Sequence, residues 1–133
     1  MAVGIAVGQA NAILDALCRS VAYSDPAGFF LQLHTGDPGA AGTSNQMGDT
    51  TRQSVTFSAA ASGAITNSAA VEWTNLQPTG ASETVSHWSA WSASTAGTFL
   101  FSDDFASSRV VADNDNFTIA IGDLDINITV IAA

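Results

Sequence analysis

The sequence predicts a mainly β chain: an antiparallel, jelly-roll-like β-sandwich with one N-terminal α-helix. Three observations carry this. From Phe29 onward, about eight short segments alternate apolar and polar residues between Gly, Pro, Asn and Asp breaks. Before Phe29 lies the one stretch whose apolar residues recur at three- and four-residue steps. The 133 residues show no internal repeat and no shift in composition, so one domain spans 1–133. Within it, 1–28 form an N-terminal arm and helix, and 29–133 form the β-domain.

Val3, Ile5 and Val7 make a short apolar lead interrupted by glycines. They have no evident use within the chain, so we expect them to dock on a neighbouring subunit. From Gln9, the stripe Ala10, Ile13, Leu14, Leu17 and Val21 predicts a helix ending near Ser24, because Pro26 forces Asp25 into an extended conformation. The stripe could pack on its own sheet or on a partner subunit. Cys18 is the single cysteine, so no intrachain disulfide can form, and its place in the stripe predicts a buried, small apolar residue.

Phe29–His34 predicts the first strand, with Phe29, Leu31 and Leu33 on one face and Phe30, Gln32 and His34 on the other. The segment Thr35–Thr50 holds four glycines and a proline. It is longer than structureless connections usually are, which marks it as a functional loop expected to contact another subunit. Short strands follow at Arg52–Phe57, around Ile65 and around Val71–Trp73, and a longer one at Thr84–Ser92. Thr98–Phe101 and Arg109–Ala112 read as two strands, with Asp103-Asp104 ending the first. After the turn Asp113–Asn116 come strands at Phe117–Ile121 and Leu124–Val130.

Composition excludes several functions. Twelve carboxylates face three arginines and no lysine, giving a net charge of -9. No basic patch can neutralise phosphates, so nucleic acid and anionic membrane surfaces are not expected partners. Charged residues make up 11% of the chain, well below the usual share of about 25%. A surface so poor in charge suits a subunit that hides its exterior against neighbours. Met1–Leu17 lacks the basic start of a secretory signal, and Asp15 interrupts it, so synthesis in a host cytoplasm is expected.

The candidate chemical sites are sparse. His34 and His87 are the two histidines, and neither sits in a nucleophile motif, so no catalytic residue is assigned and the chain is not expected to be an enzyme. For His34 the expectation is a polar strand residue making one hydrogen bond. Two histidines and one cysteine in distant segments make no zinc site. Asp103, Asp104, Asp113 and Asp115 could gather around calcium, but an EF-hand loop from Asp113 would carry Thr118 and Leu124 where glycine and glutamate are required. No metal and no cofactor are assigned. Trp73, Trp88 and Trp91 leave open a carbohydrate-binding module, which needs exposed rings. Asn116-Phe117-Thr118 and Asn127-Ile128-Thr129 match the glycosylation triplet and read as ordinary strand residues.

The run Leu31-Gln32-Leu33-His34-Thr35-Gly36-Asp37-Pro38-Gly39 resembles the L-x-L-H-T-(A/G)-D-P-G opening of small virion proteins of actinobacterial (mycobacteriophage-type) phages, described as minor tail or tail-fibre-like proteins. Further similarities follow in order at Arg52–Phe57, Val71–Trp73, Gly97–Phe101 and Phe117–Leu124. The resemblance covers residues 29 to the C-terminus and departs at Asp113–Asn116, where the family often has Gly-Asp. It implies a non-enzymatic structural role in a virion, as a symmetric homo-oligomer, with a trimer favoured, contacting other virion proteins of the tail. The alternative is a decoration protein on the major capsid protein. The residues expected at subunit interfaces are Val3, Ile5, Val7, Asp37, Pro38 and Trp91.

Overall fold

The structure, a computed structural model, describes residues 3–131; the outermost residues of the predicted domain 1–133 lie outside the described residues. The chain runs β1 (Gly4–Ile5), α1 (Val7–Arg19), β2 (Phe30–His34), β3 (Gln53–Ser54), β4 (Ala64–Thr66), β5 (Val71–Trp73), β6 (Ser82–Trp91), β7 (Phe99–Ala112), β8 (Phe117–Ile119) and β9 (Asp125–Asn127). The predicted antiparallel β-sandwich with one N-terminal helix is what the chain forms. One layer is a five-stranded sheet of order β1-β7-β6-β2-β3; the ladders β4-β9 and β5-β8 supply the other strands.

The two faces of the large sheet differ in chemistry. Strand alternation puts Leu31 and Leu33 of β2 on the same face as their cross-strand partners Ala90 and Trp88 of β6. This face meets Val71, Trp73, Leu76, Phe117, Ile119 and Leu124 in one apolar core. Phe29 packs edge-on to Phe57 with ring centroids 4.8 Å apart, closing one end of it. The opposite face carries Gln32 and His34, paired with Ser89 and His87. The loop 35–50 folds back over this polar face. Gly42, at φ 72°, lies so close to the Phe99 ring that a Cβ there would collide with it, so a residue without a side chain is required.

Several expectations are corrected by the structure. The helix ends at Arg19, not near Ser24. Ser20 adopts the left-handed conformation and, with Val21, returns its backbone N–H to the Asp15 carbonyl, a Schellman-type stop made with serine in place of the usual glycine. Cys18 is exposed, not buried. The arm Val3–Val7 does have a use within the chain: Gly4 and Ile5 pair with Ser102 and Phe101 on the edge of the sheet. Asp103-Asp104 does not end a strand; β7 runs unbroken for 14 residues. Both residues remain in the exposed class, so an interior strand position is tolerated, although the Asp103 carboxyl is covered enough to be raised above its ordinary range. The final strands are shorter than expected, three residues each in β8 and β9.

Candidate functional site

Two places in the fold carry unusual chemistry: the buried polar corner at His34 and the exposed apolar surface around α1. At the corner, β2 delivers His34 between β6 and the returning loop. The His34 side chain is 0% exposed. Its Nδ1 lies 2.8 Å from the Ser44 carbonyl, which can only accept, so Nδ1 carries the proton. Its Nε2 then accepts from the Ser89 hydroxyl at 2.7 Å. The Ser89 oxygen in turn accepts from Trp91 Nε1 at 2.8 Å. His34 therefore makes two side-chain hydrogen bonds where one was expected. Burial, the largest cause, together with the nearby His87 and Arg52, holds its pKa below the ordinary 6.5, against the opposing pull of the Ser44 carbonyl.

Arg52 completes the corner. Its Nε donates to Gln32 Oε1 at 3.0 Å, and its Nη1 to the carbonyls of Ala93 and Ala96. Its guanidinium stacks 3.9 Å above the Trp91 ring. A serine hydroxyl on a histidine nitrogen has the outline of a nucleophile and its base. Here, however, solvent reaches neither Ser89 nor His34, the serine oxygen is already engaged by Trp91, and a carbonyl stands where a triad places a carboxylate. The chemistry available is structural: the network pins the loop and the 93–96 turn to the sheet.

The predicted interface residues fall into two groups. Ile5 and Val7 are exposed and Val3 is half-buried, all on or beside β1. Asp37 is half-buried, and its Oδ1 accepts from the Gly39 N–H at 2.7 Å to shape the loop. Pro38 is fully buried and Trp91 is 7% exposed, so both face the interior of their own chain. Trp73 and Trp88 are buried too, so the three tryptophans present no platform to a sugar ring.

The acidic residues weighed for calcium do not converge. Asp113 and Asp115 serve the turn between β7 and β8, accepting from Asn114 and Ala112, while Asp103 and Asp104 lie along β7. An open cleft of about 400 Å³ brings Asp103, Asp104, Asp123 and Asp125 near Arg109. Burial raises the Asp103 carboxyl above its ordinary range. Among the described residues, no three acidic, histidine or cysteine side chains are placed to hold a metal ion. Nor is any helix of these residues long and apolar enough to cross a membrane.

Sequence reasoning missed the full extent of the apolar surface. Val7, Ile13, Leu14, Leu17 and Val21 are all exposed, and Ile121, Ile128 and Val130 add to them near the C-terminal end. A groove of about 630 Å³ runs between β1 and β9, with Val3, Ile5, Ile13, Phe101, Ile126 and Ile128 on its walls. Patches of this kind mark contact with other molecules.

The sandwich thus seals a polar cluster inside while leaving a set of large apolar residues open to water. The model of the family described as podophage GP4 fiber I protein gp80 matches residues 4–127, from β1 through β9. The chain therefore belongs to this phage fibre family and is a virion structural component. No curated protein sequence matches it.

Proposed function

We propose that the chain is a non-enzymatic minor tail or tail-fibre-associated subunit that acts through symmetric contacts between copies, with a trimer favoured. The observation that carries this reading is the fibre-family match across residues 4–127. It agrees with the resemblance of Leu31–Gly39 to tail proteins of actinobacterial phages. The large apolar residues exposed around β1 and α1 support subunit contact as the mode of action. On this reading the subunit assembles in the host cytoplasm and needs no cofactor. Its partners are further copies and other tail proteins; nucleic acid and membranes are not among them, given the net charge of -9. The N-terminal arm and the loop 35–50 are the segments through which neighbours are met.

Immunogold labelling of purified virions, with copy number from quantitative mass spectrometry, tests the assignment. Label on the tail with a low copy number is expected. Label spread over the head at hundreds of copies would instead make the chain a capsid decoration protein.

A further inference from the structure

We propose that the groove between β1 and β9 is a docking site for an extended segment of another protein that carries lysine or arginine among apolar residues. The groove lies between two open strand edges. β1 is the outer strand of the five-stranded sheet, and β9 is paired on one side only, with β4. Gly4 and Ile5 line one bank, and Asp125, Ile126 and Asn127 line the other. An edge strand presents main-chain N–H and C=O groups without partners. It therefore receives another chain in extended form, whose main chain bonds to the edge while alternate side chains turn into the groove. The apolar side chains of such a segment meet Ile5, Ile13, Phe101 and Ile128 on the walls.

Charge selects the occupant. Alternation along β7 puts Asp103 on the same face as Phe101 and Phe105, which pack against the apolar core. A carboxylate thus stands on the core side of the sheet, where the groove still lets water reach it, and Asp125 lines the same groove from β9. The adjoining cleft, which shares Asp103 and Asp125, adds Asp104 and Asp123. Burial, the largest cause, and the neighbouring Asp104 already raise the Asp103 carboxyl. A purely apolar segment laid over it would strip the remaining water from an unpaired charge. A lysine or arginine in the arriving segment removes that cost.

A second copy does not meet this requirement. The chain has no lysine, and its three arginines are engaged. Arg19 pairs with Asp15 at 2.9 Å, Arg52 holds the 93–96 turn and stacks on Trp91, and Arg109 donates to the Asn116 carbonyl at 2.9 Å. The net charge of -9 also sets copies against each other at any acidic surface. The inward carboxylates therefore close these two edges to the chain's own kind and open them to a basic partner, leaving contacts between copies to other surfaces. The site goes beyond the assignment to the tail and holds wherever in the virion the chain sits.

The probe is a blocked hexapeptide alternating lysine and valine, titrated into the isotope-labelled full chain and followed by amide NMR shifts. Saturable shifts are expected at Gly4, Ile5 and Asp125 to Ile128. Matching peptides with glutamate or serine in place of lysine are expected to bind at least roughly fivefold more weakly. Asp103→Asn together with Asp125→Asn weakens the lysine peptide by roughly fivefold to tenfold. Asp25→Asn together with Glu72→Gln removes the same charge from exposed positions outside the groove and leaves binding unchanged. If the groove pair fails to fold, as its own amide spectrum reports, salt decides. Binding to the natural chain then falls several-fold as ionic strength rises from about 0.05 M to about 0.5 M. Shifts spread over the whole surface, an equal response to the serine or glutamate peptide, no response to the lysine peptide, or a folded groove variant that binds undiminished overturns the proposal. Shifts at the same amides that grow with the concentration of the free chain make a second copy the occupant and overturn it too. The tail assignment is read separately, from immunogold, and survives each of these outcomes.

Discussion

The corner at His34 and the helix α1 are both rich in apolar residues, yet solvent treats them in opposite ways. Leu31 and Leu33 are sealed on one face of β2, and even the polar residues of the other face, Gln32 and His34, are buried. On α1 no residue is fully buried. The difference lies in what each segment has on its far side. β2 is an interior strand of its sheet, flanked by β6 and the short edge strand β3, covered by the core on one face and by a loop on the other. The helix has a sheet edge on one side and water on the other. The first region is finished by its own chain. The second is left open to water by its own chain.

Three substitutions sharpen this contrast, from the largest expected effect to the smallest. Leu33→Ala removes a side chain that is 1% exposed from the apolar core and is expected to lower stability by about 2–5 kcal/mol, read from urea unfolding. His34→Ala leaves the Ser44 carbonyl and the Ser89 hydroxyl without their buried partner, for a loss of about 1–3 kcal/mol. At the other extreme, Leu17→Ala on the exposed side of α1 is expected to change the stability of the isolated monomer by no more than about 0.5 kcal/mol. A large loss at Leu17 in the monomer would erase the contrast.

His34 also gives the corner a pH dependence of defined sign. Its folded pKa lies below the ordinary 6.5, so the unfolded chain takes up a proton first as pH falls. Stability contributed by the neutral ring is complete above 6.5 and is lost as pH falls from there toward the folded value. Protonation would also take away the His34 Nε2 acceptor of the Ser89 hydroxyl. Unfolding midpoints measured between neutral and mildly acidic pH should therefore fall in the natural chain, and fall less in His34→Gln.

Much of the architecture was legible in the sequence. The alternation in Phe29–His34 and Thr84–Ser92 gave β2 and β6, and the three- and four-residue steps gave α1. The misreadings have particular causes. Asp103-Asp104 looks like a turn because aspartate favours turns, but along the exposed half of β7 nothing opposes a carboxylate pointing into water. The end of α1 was missed because serine, not glycine, holds the left-handed position at Ser20. An apolar stripe gives the direction of a helix face but not what covers it, which is why Cys18 was expected to be buried. The corner was invisible because Arg52, Ser89, Ser44 and Ala96 come from four separate segments whose meeting no local pattern records.

Hydrogen–deuterium exchange, comparing the dilute chain with the assembled state, tests most directly the claim that one region is complete and the other waits for a partner. The amides of β2 are expected to be strongly protected in both states. Those of α1 should exchange readily in the dilute chain and slow by at least about tenfold on assembly. An α1 whose exchange is unchanged by assembly, or a β2 as labile as α1, would contradict the account.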